Sequence, residues 1–174
     1  MENPLYFIEN QIPGTNIHEQ FDAAESARIV ISHVENGLLL AQKNSLPKQI
    51  SDFISTHHGT TLERYFYYTW LKDHKEENYS EHQFRYPGPR PFSKETAVVM
   101  MADAVEAASR SLTKFDESSL TALVNEIIDQ QMQDEQFNDA DITFKDITTI
   151  KNVFIQRLRN IYHARIAYPK KPPK

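Results

Sequence analysis

The chain has 174 residues, a net charge of −5, and 40% hydrophobic against 25% charged side chains, which suits one domain with a sizeable core and gives no global attraction to DNA or other nucleic acid. It has no cysteine, which excludes disulfides and thiolate metal sites and fits a reducing compartment. No apolar run approaches the roughly 18 residues that cross a bilayer, nothing resembles a signal peptide, and the four glycines form no phosphate-cradling loop, G-x-S-x-G elbow or dinucleotide fingerprint.

Residues 1–21 read as an irregular segment, punctuated by Pro4, Pro13 and Gly14. A first helix is predicted over about 22–43, capped by Asp22 with Glu25 as its capping-box partner, burying Ile29, Val30, Val34, Leu38 and Leu40. A second follows Ser45, with Pro47 in its first turn; it buries Ile50, Phe53 and Ile54 and stops at Gly59. A third carries Leu62, Tyr65, Phe66 and Trp70. Residues 73–92 are polar, then proline-rich, and are predicted as one long loop.

A fourth helix starts at the N-cap Ser93 and runs through "KETAVVMMADAVEAASRSL". A fifth, over about 117–134, buries Leu120, Leu123, Val124, Ile127 and Ile128. A sixth, over about 144–167, buries Ile147, Ile150, Phe154, Leu158 and Ile161 and ends before Pro169, leaving a basic tail at 169–174 that reads as a solvated end. The expectation is an all-α helical bundle, residues 1–174 forming one domain.

Several polar residues fall on the apolar faces. His33 lies within the stripe of the first helix and His57 within that of the second, with His58 next to it. Asp103 follows Val99 by four residues and Met100 by three, so it is expected to face the core among Ala102, Ala104, Ala107 and Ala108. An inward carboxylate is costly unless paired or metal-bound. Three imidazoles and a carboxylate on three helices suit zinc, iron or manganese, and bundle cores are where such ligands meet. Spacing alone leaves the plainer readings open: a satisfied core histidine at 33, an Asp103–Arg110 pair, and a His57–His58 pair placed by the dipole at a helix C-terminus. His18, His74, His82 and His163 read as solvated.

"FIENQ" at 7–11, "ISHV" at 31–34, "HHGTTLERYFY" at 57–67 and "YPGPRPFSKETAVVMMADAVEAASRSL" at 86–112 together resemble the C-terminal part of the cytoplasmic HD domain of the seven-transmembrane HD-domain receptor family. The resemblance spans most of the chain. It implies an HD-type helical bundle, a di-metal centre of iron or manganese, hydrolysis of cyclic di-AMP to a linear dinucleotide, and a cytoplasmic domain tethered to the inner membrane by segments outside this chain. By motif it makes His33, His57, His58 and Asp103 metal ligands. The family's name comes from an adjacent His-Asp pair in an "HDIGK"-like stretch, expected just before the segment matching "ENPLYFIENQ". No His-Asp dipeptide occurs in the 174 residues. The expectation is therefore an N-terminally truncated domain whose opening HD helices are a missing partner, able to form one partial metal site but with little or no activity alone.

Lys94, Arg110 and Arg90 are candidate phosphate contacts; for each a surface or packing role is the alternative. Tyr65, Phe66 and Tyr67 suit either adenine stacking or the core. The alternative to a catalytic remnant is a metal-free helical module with an interaction or regulatory role. A mononucleotide hydrolase is disfavoured by the match over 86–112.

Overall fold

The structure, a computed structural model, describes residues 21–74 and 81–163. The expectations for the N-terminal segment up to residue 20, for His18 and for the chain beyond 163 lie outside these residues. The described chain is helical and contains no strand; one isolated antiparallel bridge joins Leu62 to Arg85. It divides into two compact units, one ending at Arg90 and the other beginning at Pro91.

The first unit holds α1 (Ala23–Lys43), α2 (Lys48–Thr56), α3 (Arg64–Asp73) and a 3-10 turn at Glu81–Phe84. As predicted, Asp22 caps α1, its carboxylate accepting the Glu25 N–H at 2.7 Å. Glu25 turns away to take the Arg28 guanidinium at 3.0 Å. The helix ends where Ser45 adopts a left-handed φ of 51°, which lets Leu46 N–H reach the Ala41 carbonyl at 2.9 Å. The core of this unit is Ala27, Phe66, Trp70 and Phe84, with Val30, Leu62, Tyr67 and Leu71 packed around it. Phe84 comes from the segment expected to be loop, so part of that segment is core.

Ile50 and Leu40, expected inside, are 41% and 47% exposed, and Tyr65 is exposed as well. His74, expected to be solvated, is half-buried. It stacks on Trp70 with ring centroids 4.1 Å apart and donates from Nδ1 to the Trp70 carbonyl at 3.0 Å.

The second unit packs α4 (Lys94–Ser109), α5 (Glu117–Gln133) and α6 (Phe144–His163) against one another. The starts of all three helices are capped. Ser93 and Thr96 form a reciprocal capping box on α4, the Asp116 carboxylate accepts Ser119 N–H at 2.8 Å on α5, and Thr143 Oγ1 accepts Asp146 N–H at 3.1 Å on α6. Ala97, Met100, Met101, Val105, Leu120, Val124, Ile128, Phe137, Ile147 and Leu158 form the core. Ile161, one turn beyond Leu158, is 51% exposed rather than buried.

Candidate metal centre

α1 sets His33 one turn before Gly37, whose own missing side chain lets α2 approach: a Cβ built there would lie 2.9 Å from Ile54 Cγ2. α2 ends immediately before His57, whose N–H bonds the Phe53 carbonyl at 3.1 Å. Gly59, at φ 53°, then reverses the chain, a conformation that glycine adopts without the Cβ penalty. Thr61 Oγ1 holds the His58 carbonyl at 2.7 Å.

These local choices gather three imidazoles. One nitrogen from each of His33, His57 and His58 lies within 4.8 Å of the others. The His58 ring centroid is 4.9 Å from that of His33 and 4.1 Å from that of His57. All three side chains are half-buried.

The hydrogen bonds define the donor set. His33 Nδ1 lies 2.6 Å from the Val30 carbonyl, and His57 Nδ1 lies 2.7 Å from the Ile54 carbonyl. A carbonyl only accepts, so each Nδ1 carries the hydrogen and, in a neutral ring, each Nε2 presents a lone pair. Those two Nε2 atoms face each other at 3.0 Å. Two lone pairs at that distance repel unless a cation is shared between them. Backbone carbonyls that fix the tautomer while leaving Nε2 outward are the usual outer partners of metal-binding histidines. The residues present therefore fit a divalent metal ion.

His58 completes the set electrostatically. Burial, then the neighbouring His57 and His33, lower its pKa to about 2. It stays proton-free at any ordinary pH, as a ligand must. The pH dependence has a definite sign. Between about pH 2 and the unfolded value near 6.5 the unfolded chain binds the extra proton, so stability rises with pH across that window and falls as the solution is acidified. One such group sets a slope of up to about 1.4 kcal/mol per pH unit. Urea unfolding of the metal-free chain from pH 7 to pH 4 should show this decline, and His58→Gln should flatten it. Glu63 works the other way: burial raises its pKa, partly offset by the Tyr86 phenol, so its contribution is lost as pH rises.

Asp103, Lys94 and Arg110 belong to the second unit, and Arg90 to the first. Asp103 was expected on the core face of α4, and it is exposed. The buried stripe of that helix runs Ala97, Met101 and Val105 with Met100 alongside, and Asp103, two residues from both Met101 and Val105, falls on the opposite side. The second unit also holds Lys94, paired with Asp146 at 3.0 Å, and Arg110, paired with Glu106 at 2.9 Å. Arg90 is half-buried in the first unit, in the "PGPRP" stretch. There Gly88, at φ 82°, leaves space that a Cβ would fill at 3.1 Å from Thr60 Cγ2.

Sequence reasoning missed Tyr86. Its ring stacks on His58, centroids 4.2 Å apart and planes 22° apart, and meets His33 edge-on at 6.1 Å. Its position depends on the long-range Leu62–Arg85 pairing, which leaves no periodic signal in the sequence.

No family model matches the chain. It is 40% identical over 173 residues to the cyclic-di-AMP phosphodiesterase PgpH of Bacillus subtilis (strain 168), covering 99% of this chain and 24% of that protein. It is also 40% identical over 166 residues to the PgpH of Listeria monocytogenes serotype 1/2a (strain 10403S), covering 95% of this chain and 23% of the relative. The chain thus spans about a quarter of the length of the curated relatives it matches. The crystal structure of the L. monocytogenes PgpH HD domain superimposes with a TM-score of 0.86 at 38% identity, covering 93% of this chain and 75% of the solved one. The same domain in complex with cyclic-di-AMP gives 0.88 at 37% identity, covering 92% and 74%. With this identity across most of the solved domain, and the same helical architecture, the chain belongs to the family of PgpH HD domains.

Proposed function

We propose that this chain is part of a metal-dependent HD phosphohydrolase that cleaves cyclic di-AMP, and that His33, His57 and His58 bind one of its metal ions. The observation that carries this reading is the 3.0 Å approach of the His33 and His57 Nε2 atoms while both Nδ1 atoms are held by carbonyls. The likeness to PgpH, whose HD domain is solved with cyclic-di-AMP, supports the substrate. Because that likeness runs over 93% of the chain, we read both units as belonging to one domain.

Divalent ions bound at such a centre supply Lewis acidity and a water of lowered pKa. The chain's own residues do the rest. His33 and His57 present Nε2 in a fixed tautomer, and His58 stays neutral. Asp103, exposed on α4, is proposed as a ligand of a second ion. Imidazole and carboxylate together suit iron or manganese, which we propose as the metals. Arg90, Lys94 and Arg110 are proposed phosphate contacts; Lys94 and Arg110 would share their charge with Asp146 and Glu106.

The remaining ligands of the second ion are proposed to come from a His-Asp pair, which none of the 174 residues supplies. A cytoplasmic setting, with tethering by other segments, is also proposed; among the described residues no helix is long and apolar enough to cross a membrane.

Assayed alone on cyclic di-AMP with Mn²⁺, the chain is expected to show little or no turnover. Joining in frame a segment that carries the His-Asp pair should restore hydrolysis, followed by chromatography of the linear dinucleotide. Brisk turnover by the chain alone would overturn the half-site reading.

A further inference from the structure

The segment 84–86 is bound to the histidine turn at three points. Glu63 N–H donates to the Phe84 carbonyl at 2.7 Å, and Tyr86 N–H donates to the Thr61 carbonyl at 3.0 Å. Arg85 Nη1 donates to the Thr60 carbonyl at 3.1 Å. These bonds fix the backbone of Tyr86 relative to the turn that carries His57 and His58. The Tyr86 ring, 6% exposed, lies nearly parallel to His58 at 4.2 Å and edge-on to His33 at 6.1 Å. Its hydroxyl reaches Glu63 Oε2 at 3.4 Å, the long end of hydrogen bonding, so the far end of the ring is tied to the start of α3.

His33 and His57 each use Nδ1 to grip a carbonyl of their own helix. His58 stands two residues past the end of α2 and has an aromatic face pressed against it. An imidazole stacked on a neighbouring ring is restrained in its plane.

We propose that Tyr86 is a positioning residue of the histidine centre, its ring setting the plane of His58 and its phenol anchored by Glu63. This rests on the metal reading of the three histidines.

The test uses Co²⁺ as a spectroscopic probe on the full chain, with visible absorption reporting ligand number and geometry. Tyr86→Phe keeps the ring and should bind Co²⁺ within about threefold of the unsubstituted chain, with the same band shape. Tyr86→Leu should bind about 10- to 100-fold more weakly, the range for lost outer-shell support, and its saturated spectrum should approach that of His58→Ala. A Tyr86→Leu chain with unchanged affinity and spectrum overturns the proposal and leaves the metal site standing. Absence of Co²⁺ uptake by the unsubstituted chain removes the metal reading and this proposal with it.

A second measurement does not depend on any Tyr86 variant folding. In the metal-free chain, the His58 ring protons, assigned through His58→Gln, should resonate upfield in proton NMR because they lie over the Tyr86 face. Unshifted signals overturn the stacking on which the proposal depends.

Discussion

Replacing His33 by alanine is expected to abolish tight metal uptake while leaving the metal-free fold nearly intact. The substitution removes one of three converging nitrogens, and the loss should exceed the 10- to 100-fold typical of a lost outer-shell partner, so a fall of at least about 100-fold in affinity is expected. That corresponds to roughly 2.8 kcal/mol or more. In the metal-free chain the balance differs. Where both rings are neutral, the His33 and His57 Nε2 lone pairs face each other at 3.0 Å, and deleting one ring relieves that repulsion. It also removes a half-buried side chain, so the two effects oppose each other. The expected pattern is a thermal midpoint in chelator within a few degrees of the unsubstituted protein, and no rise when Mn²⁺ is added. Because a ligand that binds only the folded state raises its stability, the unsubstituted chain should show that rise. Metal analysis of both proteins after gel filtration checks the stoichiometry directly. Equal metal retention by the two would sink the assignment of His33.

The second large effect is expected at Phe84. This ring is fully buried among Ala27, Phe66 and Trp70, with Tyr67 at a centroid distance of 5.3 Å. Truncating a buried phenylalanine to alanine typically costs about 3–5 kcal/mol, through lost transfer free energy and a cavity. The chain has a single tryptophan, Trp70, in the same cluster, so its fluorescence during urea unfolding reports this unit specifically. Phe84→Ala should lower the fluorescence midpoint strongly. A circular dichroism signal that follows all the helices would separate into two transitions if the units unfold independently. Phe84 also anchors the segment that carries Tyr86, so the same variant should weaken metal binding under conditions where it is still folded.

The helices were legible in the sequence because their ends are chemically marked. Asp22, Ser93 and the glycine at 59 stand where the structure starts or stops α1, α4 and the α2 turn. His33 and His57 were legible because they fall within apolar stripes at helical spacing, and His58 because it adjoins His57 in a motif that resembles the family's. Asp103 shows where that logic fails. On α4 small or apolar residues surround it on both sides, so hydropathy does not say which side meets the core. Met101 and Val105, the residues that do, place Asp103 away from it. Ile50, Leu40 and Ile161 fit a periodic stripe but lie at its edges, where exposure depends on neighbours that a single helix does not specify. Tyr86 and Glu63 were invisible for a different reason: a bridge between residues 62 and 85 unites them, and no local pattern encodes it.

The stop of α2 has a further consequence. His57 caps that nine-residue helix and uses its ring to satisfy the carbonyl of Ile54, one of those that a helix end leaves without a partner. The tautomer of His57 is thus written into the place where the helix terminates. Inserting or deleting one residue within 48–56 would swing His57 by about 100° around the axis and detune it from His33. Substitutions on the outer side of α2 can accumulate freely, whereas its length works as a fixed gauge, and indels there should be far more damaging than any exchange of its solvent-facing side chains.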